Sequence, residues 1–272
     1  MRVSGRELER KAMGQYVRLR SVNAWYDEVG AGEPLVLLHG AHVDARFFDE
    51  NIRPLAERFH IYLPERRGHG HTADTDGPYS YDLMTEETID FLEKVVREPA
   101  HLLGHSDGAV IAMLIALRRP TLIRSLLLVS GGFNVNGMLA GPADEDFDID
   151  ELVQLLGKPY SEVSPDGIDH FRVVAQKTID MAANEPALDQ ANLAGIGSRT
   201  LVMFGDDDLM TFEHVAQMYE GIPGAELAIV PGTSHFLLQE KPDLCNAIVL
   251  AFLNGESPKT IAPIRRAIRD RG

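Results

Sequence analysis

One stretch of the chain limits the folds open to it more than any other. The apolar pair Leu102-Leu103 leads into Gly104-His105-Ser106-Asp107-Gly108, and a helix-forming run over 109–117 follows at once. The pattern predicts a strand, a tight turn and a helix. In that context G-x-S-x-G places a serine hydroxyl on an exposed, strained turn. The predicted helix behind Ser106 directs free N–H groups and its positive dipole end towards the same place.

The rest of the chain alternates between strand-like and helix-like segments. A hairpin and six apolar runs predict eight strands, at 16–20, 23–27, 35–38, 60–63, 102–105, 126–129, 200–205 and 226–230. Helical spacing of apolar residues predicts helices at 44–58, 81–96, 109–117, 211–219 and 241–253. Buried strands that alternate with helices are typical of a mostly parallel sheet covered on both faces. The predicted fold class is α/β, an eight-stranded sheet flanked by helices.

The alternation stops between 134 and 198. Helical pieces are predicted at 150–156 and 167–183, and nine Asp or Glu residues accumulate over 144–169 against the single Lys158. We predict a helical cap inserted after the sixth strand, where a lid over a site would lie. The predicted domains are a core (14–133 and 199–255), a cap (134–198) and two terminal extensions (1–13 and 256–272).

Composition excludes several classes of partner. The formal net charge of −15 argues against binding nucleic acid or an anionic membrane surface. No run approaches the roughly 20 apolar residues of a membrane span, and the charged first residues contain no signal-peptide core. A lone cysteine, Cys245, cannot form an intramolecular disulfide. We expect a cytoplasmic protein, a monomer or homodimer, that binds neither nucleic acid nor membranes.

The serine turn requires chemical partners. A serine hydroxyl is a weak nucleophile until a base removes its proton, and the base needs an acid to hold its tautomer. Ligands of open parallel sheets bind at the carboxyl ends of the strands. There Asp208 follows one predicted strand and His235 the next, which completes the order serine, acid, histidine. Asp206 and Asp207 are alternatives for the acid.

These motifs together resemble the α/β-hydrolase superfamily from about residue 16 to residue 253. The matching pieces, in chain order, are His39-Gly40, Arg67-Gly68-His69-Gly70, Gly104-His105-Ser106-Asp107-Gly108, Gly205 with Asp208, and Gly232 with His235. The resemblance implies a Ser106–His235–Asp208 triad, and its spacing from Gly205 favours Asp208 as the acid. It also implies an oxyanion hole formed by the backbone N–H groups of Ala41 and Asp107.

The nucleophile narrows the implied reaction. Relatives that attack alkyl carbons carry an aspartate at the position of Ser106, so the resemblance implies acyl transfer instead. The predicted function is hydrolysis of a small-molecule ester or lactone through an acyl-enzyme, with no metal and no other cofactor. Three alternatives stay open: an acyltransferase, an amidase or C–C hydrolase on the same triad, and a non-catalytic small-molecule receptor.

Asp107 is the departure that bears on the substrate. A Ser-Asp-Gly turn resembles the aminoacyl-ester hydrolases related to biphenyl hydrolase, where this acid receives a substrate ammonium group. An acidic cap would likewise attract cations. Asp107 could instead stabilise the helix N-terminus, and both interpretations stay open. His42, just beyond His39-Gly40, is a second candidate substrate-binding residue.

Structural roles are expected for the other polar residues of note. Three histidines are expected to bind the turns that contain them: His39, His69 and His105. No third ligand is spaced to complete a metal site with His69 and His71. Three aspartates are expected on solvated faces: Asp74, Asp76 and Asp82. Cys245 is expected in the core.

Overall fold

A computed structural model describes residues 14–139, 148–255, 260–262 and 264. The predicted N-terminal extension (1–13) and most of the predicted C-terminal extension (256–272) lie outside the described residues. So do residues 140–147 of the predicted cap.

The strands form one sheet. Their bounds are β1 Gln15–Leu19, β2 Val22–Gly30, β3 Glu33–Leu38, β4 Phe59–Pro64, β5 Ala100–His105, β6 Ile123–Val129, β7 Arg199–Asp207 and β8 Glu226–Ser234. The spatial order is β1-β2-β4-β3-β5-β6-β7-β8. Strand β2 runs antiparallel to both β1 and β4, whereas all other neighbours are parallel. The predicted eight-stranded, mostly parallel sheet is confirmed.

The helices follow the predicted order with adjusted ends. Their bounds are α1 Asp49–Ala56, α2 Tyr81–Phe91, α3 Asp107–Arg118, α4 Ile149–Ser161, α5 Phe171–Ala182, α6 Phe212–Gly221, α7 Leu237–Glu240 and α8 Pro242–Leu253. The helix predicted at 81–96 changes character at Phe91. Leu92–Val96 form a π-helical turn instead, because the Arg97 N–H reaches five residues back to the Leu92 carbonyl at 2.7 Å.

Alternate residues of the strands supply two hydrophobic cores. Leu35 and Leu37 face one core with α1 and α8, whereas Val36 and Leu38 face the other with α2, α3 and α6. The same alternation continues along β5, β6 and β7. Burial on both faces explains the uninterrupted apolar runs of the sequence. The sheet is therefore a rigid platform whose carboxyl ends carry the polar loops.

Strands β7 and β8 extend further than the apolar runs that predicted them. Their pairing shifts register between Gly205 and Asp207, and Asp207 then pairs with Ser234. Such an irregularity bends and twists a strand locally. The pairing holds the next residue of each strand, Asp208 and His235, side by side.

The described part of the predicted cap, 148–198, is bound to the sheet-forming part of the chain through Asp74. The Asp74 carboxylate accepts hydrogen bonds from Lys177 at 2.7 Å, His170 at 2.8 Å and Tyr79 at 2.6 Å. Only 5% of the side chain is exposed. The expectation that Asp74 lies on a solvated face is therefore wrong, because residues about 100 positions away in the chain cover it. Asp82, in contrast, is 76% exposed.

Two further findings concern the whole fold. Cys245 is buried, as expected, and its thiol donates to the Leu237 carbonyl. None of the helices in the described ranges is both long and apolar enough to cross a bilayer.

Replacing His69 by asparagine should make the stability less dependent on pH. The ring donates from Nδ1 to the Arg67 carbonyl at 2.9 Å, a bond that an asparagine amide can reproduce. Burial, followed by the charge of Arg66, lowers the pKa of His69 to about 3, against about 6.5 in the unfolded chain. Between these values the unfolded state binds protons more strongly, so stability falls as the pH drops.

For a single ring this loss is about 2 kcal/mol between pH 7 and pH 5. Urea unfolding of the wild type and His69→Asn at both pH values measures it. The free energy of unfolding should fall by about 2 kcal/mol less between pH 7 and pH 5 in the variant than in the wild type. An unchanged difference would show that His69 is not held neutral by its surroundings.

Candidate active site

The turn between β5 and α3 holds Ser106 in a strained backbone conformation. Ser106 has φ 54° and ψ −120°, a region that residues with a Cβ rarely adopt. Its N–H donates to the Val129 carbonyl at 2.9 Å, and its carbonyl accepts from the Ala109 N–H at 2.8 Å. The hydroxyl therefore lies where β5 ends and the first free N–H groups of α3 begin.

Two glycines allow this turn to form. A Cβ at Gly104 would lie 2.1 Å from the Gly108 carbonyl oxygen, and a Cβ at Gly108 would lie 2.1 Å from the Leu38 carbonyl oxygen. Both distances are far below contact, so α3 packs against β5 and β3 backbone to backbone. These are the two glycines of G-x-S-x-G, and close packing is the physical reason for them.

His235 and Asp208 form a hydrogen-bonded pair. His235 Nδ1 lies 2.9 Å from Asp208 Oδ1, so the ring donates from Nδ1 and the tautomer is assigned from this bond. Nε2 is then the nitrogen with the free lone pair. The Asp208 side chain is 2% exposed and that of His235 is 15% exposed. The acid is thus shielded from water, while the base lines a cavity.

Three further hydrogen bonds hold the Asp208 carboxylate. Ser130 donates its hydroxyl proton at 2.5 Å, the Leu209 N–H donates at 2.7 Å and the Gly205 N–H donates at 3.3 Å. Burial raises the pKa of this carboxyl, but the bonds from His235 and Ser130 outweigh it and leave the pKa below its ordinary value. Asp208 therefore stays ionised.

Ser130 is a site residue that the sequence analysis missed. It follows β6 directly and has a left-handed backbone, with φ 53°. Its position at the carboxyl end of a parallel strand was the available signal. No local motif connects it with an acid 78 residues further along.

The three successive aspartates after Phe204 have different surroundings. Asp206 and Asp207 are exposed, and Asp206 accepts a hydrogen bond from the Thr233 N–H at 3.1 Å. Among the contacts of the described residues, Asp208 is the aspartate that reaches His235. The geometry thus favours the acid that the motif spacing favours.

A second histidine supports the first. His105 donates from Nε2 to the carbonyl of His235 at 2.8 Å, and its ring stacks on Phe47 with centroids 4.3 Å apart. Burial, followed by the neighbouring His235, lowers the pKa of His105 to about 3. His105 is therefore a neutral donor that fixes the backbone at His235. His39 and His69 bind carbonyl groups of the turns that contain them, whereas the bond of His105 crosses to the turn of His235.

The loop after β3 faces the same cavity as Ser106. Ala41 lies in this loop and Asp107 is the first residue of α3, and both line the larger cavity. As an N-terminal residue of a helix, Asp107 has an N–H group with no partner inside the helix. The loop after β3 and the start of α3 thus each bring a residue with a backbone N–H to the cavity of Ser106.

The side chain of Asp107 is buried and half satisfied. Tyr81 donates its hydroxyl proton to Oδ1 at 2.7 Å. Oδ2 is also buried but meets no hydrogen-bond donor in the part of the chain that the structure describes. Asp107 lines both cavities beside Ser106. A buried carboxylate oxygen without a partner is costly, and a donor on a ligand would remove that cost.

His42 lies on the wall of the larger cavity. Its backbone is left-handed, with φ 59°, and its Nε2 is buried without a hydrogen-bond partner in the described ranges. Burial lowers the pKa of the ring, while nearby Asp107 acts in the opposite direction. A polar atom on a ligand could therefore bind here too.

Two cavities meet at Ser106. The larger has a volume of about 320 Å³, and its walls are mainly apolar. They include Leu152 and Leu156 of α4, Ile179 of α5, and Val43 and Phe236. The smaller has a volume of about 80 Å³ and contains polar groups of Tyr81, Asn134 and Glu185. Ser106, Asp107 and His235 line both. A ligand can thus extend in two directions from the serine.

Within the described ranges, no group of three or more His, Cys, Asp or Glu side chains is arranged to hold a metal ion. The neighbouring His69 and His71 bind a backbone carbonyl and the Glu65 carboxylate, respectively.

Known proteins resemble the chain over most of its length. The model of the alpha/beta hydrolase family matches residues 35–248. A protein of Azorhizobium caulinodans provisionally named carbamate hydrolase RutD is 27% identical over 261 residues, which cover 87% of this chain and 97% of that protein. The AB hydrolase superfamily protein YisY of Bacillus subtilis is 25% identical over 270 residues, 89% of this chain and 100% of that protein.

Solved structures agree in fold. A meta-cleavage product hydrolase of Pseudomonas fluorescens superposes with a TM-score of 0.73 at 22% identity, covering 89% of this chain and 97% of its own. The enol-lactonase of Burkholderia xenovorans gives a TM-score of 0.73 at 20% identity, covering 89% and 100%. A hydrolase is the class of enzyme that the fold and the relatives support. Because the family model matches most of the chain, the protein belongs to the alpha/beta hydrolase family.

Proposed function

We propose that the protein is a serine hydrolase that cleaves a carboxylic ester or lactone of a small molecule through an acyl-enzyme. The hydrogen bond between His235 and Asp208 carries this proposal, because it prepares a base on the wall of the cavity that also holds Ser106. A serine with no such base would be a poor nucleophile at neutral pH.

The geometry supports a two-step reaction. Ser106 Oγ attacks the substrate carbonyl while His235 Nε2 accepts the hydroxyl proton, and the N–H groups of Ala41 and Asp107 stabilise the oxyanion. The ester bond then breaks, and the leaving oxygen takes the proton from His235. A water molecule, deprotonated by His235, attacks the acyl-enzyme. Collapse of the second intermediate releases the carboxylic acid and returns the proton to Ser106.

Asp208 acts through His235 in this scheme. Its ionised carboxylate keeps the Nδ1 proton in place and stabilises the imidazolium that forms at each step. Ser130 and the Leu209 N–H hold the carboxylate in position. His105 fixes the backbone of His235 from the other side.

The leaving group favours an ester or a lactone over an amide. An alkoxide can leave while His235 is still transferring its proton. The nitrogen of an amide is a poorer leaving group and must be protonated by His235 before the C–N bond breaks. The larger cavity fits an apolar substrate, since Leu152, Leu156 and Ile179 of the cap line it. Its volume of about 320 Å³ corresponds to a small molecule.

Amide, carbamate or C–C bond cleavage is the second candidate. One relative is provisionally named a carbamate hydrolase, and a similar solved structure is a meta-cleavage product hydrolase. The same triad could serve these reactions. A substrate panel of p-nitrophenyl esters, lactones, carbamates and anilides separates them, and the proposal requires the highest kcat/KM for an ester or lactone.

A fluorophosphonate should label the folded wild type at Ser106. Ser106→Ala should lose this labelling and at least about 10³-fold of the esterase kcat, because the nucleophile is removed. Ser161→Ala changes a serine that binds the Lys158 carbonyl at the end of α4 and should label like the wild type. Mass spectrometry of the adduct and pre-steady-state kinetics measure both effects. A correctly folded wild type that is not labelled would reject every serine hydrolase and leave the receptor hypothesis.

Two neighbouring aspartates offer a matched comparison of the acid. Asp208→Asn should reduce kcat by about 10³- to 10⁴-fold, because the amide no longer accepts the Nδ1 proton and the histidine adopts the wrong tautomer. Asp206→Asn should stay within a fewfold of the wild type, since Asp206 binds the Thr233 N–H instead. Steady-state kinetics on one p-nitrophenyl ester suffice. Equal losses in the two variants would contradict the assignment of Asp208.

We propose in addition that the substrate presents an ammonium or another strong N–H donor to Asp107. The observation that favours this is Asp107 Oδ2, which is buried beside Ser106 with no donor among the described residues. The alternative interpretation stays open, because Asp107 is also the acidic residue in the first turn of α3, while its Oδ1 accepts from Tyr81. Glu185 adds a second carboxylate to the smaller cavity.

An aminoacyl ester and its N-acetylated analogue test this proposal. The wild type should prefer the free amine by about 10- to 100-fold in kcat/KM, as expected for a desolvated charge pair, and Asp107→Asn should abolish the preference. The oxyanion donor at this position is a backbone group, so the variant keeps it. Asp206→Asn serves as the control and should keep the preference. Equal kcat/KM values for the two esters in the wild type would rule the amine out.

A further inference from the structure

Arg66 is a buried cation under the loop that contains Ala41. It is the second residue after β4, and only 7% of the residue is exposed. Its Nη1 donates to the His39 carbonyl at 2.5 Å and its Nη2 donates to the Gly40 carbonyl at 2.9 Å. The guanidinium therefore donates hydrogen bonds to the carbonyls of two successive residues in the loop after β3.

His39 completes the arrangement. Its Nδ1 donates to the Gly40 carbonyl at 2.8 Å, and its Nε2 accepts from the backbone N–H of Arg66 at 3.2 Å. These two bonds fix the neutral tautomer. Burial, followed by the charge of Arg66, holds the pKa of His39 well below its ordinary value. The Gly40 carbonyl thus has two donors, one of them charged.

The orientation of one peptide follows from these bonds. The peptide between Gly40 and Ala41 is trans, so its carbonyl and its N–H point in opposite directions. Because the carbonyl points at Arg66, the Ala41 N–H points away from it. Gly40 packs against the nucleophile, since a Cβ added there would lie 3.1 Å from the Cβ of Ser106.

Arg66 is a buried cation with no carboxylate paired to it in the described ranges. None of the ion pairs found in the described ranges includes Arg66, whereas its neighbour Arg67 is paired with the buried Glu87. Burying a cation without a contacting carboxylate is costly. Burial lowers the pKa of Arg66, and the charge of Asp107 acts in the opposite direction. A neutral donor could bind the same two carbonyls without the desolvation cost of a buried charge. The charge of Arg66 therefore suggests a further role.

We propose that Arg66 is a positioning residue that orients and polarises the Gly40–Ala41 peptide, so that the Ala41 N–H stabilises the oxyanion. A charged donor on the carbonyl withdraws electron density from the peptide and strengthens its N–H as a donor. The effect grows as negative charge develops on the substrate oxygen. Arg66 therefore acts on the transition state and leaves binding of the uncharged substrate unchanged.

This inference rests on the proposed serine hydrolase function, and the experiment separates the two. We would measure kcat and KM for a p-nitrophenyl ester, and the Ki of a trifluoromethyl ketone, whose adduct with Ser106 places an oxyanion in the same hole. The variants are Arg66→Met, Arg66→Lys and Arg66→Gln. The control is Arg67→Lys, which alters the adjacent arginine without touching the loop after β3.

Arg66→Met should lower kcat by about 10- to 100-fold, somewhat less than removal of an oxyanion donor itself. Its KM should stay within about threefold and its ketone Ki should rise in parallel with the loss in kcat/KM. Arg66→Lys should recover part of the loss, because it keeps the charge but not the two-pronged geometry. Arg66→Gln replaces Arg66→Met if the latter does not fold. Arg67→Lys should lower the melting temperature and leave kcat and Ki within about threefold.

Each result that differs from these expectations rejects either the proposed function or the role of Arg66. A wild type that neither hydrolyses the ester nor binds the ketone would reject the proposed function itself. An active wild type with Arg66 variants that lose kcat at unchanged Ki would reject the role of Arg66. So would an equal loss in Arg66→Lys and Arg67→Lys, because that result indicates a general effect on the loop after β4.

Discussion

The close backbone contact of Gly108 with Leu38 and Gly104 is the constraint on which the rest of the site depends. No side chain fits between α3 and the strands β3 and β5 at this point. The helix therefore crosses the sheet at the smallest separation that two backbones allow. This contact fixes where α3 begins, and so where Ser106 lies. Because His39 follows Leu38 directly, the same contact also places the loop that contains Ala41 beside Ser106.

Several residues near this contact have strained backbone conformations, and the buried strands of the sheet compensate for the cost. His42, Ser106 and Ser130 follow β3, β5 and β6, and all three have positive φ angles although none is glycine. Each such residue costs on the order of 1–3 kcal/mol. They persist because the strands before them are buried on both faces, in two separate cores. The buried sheet supplies the stability. At the carboxyl ends of its strands, side chains and backbone amides keep conformations that would be unfavourable in a flexible loop.

The sequence predicts those parts of the structure that short-range patterns encode. Apolar runs give the sheet, and glycines at fixed offsets from Ser106, Asp208 and His235 give the candidate triad. The remaining contacts join distant residues of ordinary type. Ser130 meets an acid 78 residues away, and Arg66 meets carbonyls 26 and 27 residues before it. The sequence alone predicts a solvated carboxylate at Asp74, because its partner Lys177 lies 103 residues further on. No local pattern distinguishes such residues from exposed ones.

The placement of the acidic residues also changes the argument about charge. Many carboxylates of the cap bind groups close by, as Glu162 binds Arg46 and Asp166 binds the Asp74 N–H. Exposed charges are screened within about 8 Å at physiological ionic strength, so the net charge of −15 has little influence inside the cavity. Two carboxylates, Asp107 and Glu185, instead lie in the cavity wall. The buried cation Arg66 interacts electrostatically with Asp107 and partly offsets its charge. For the proposed ammonium-bearing substrate, selection by charge would therefore depend on these buried groups rather than on the acidic surface.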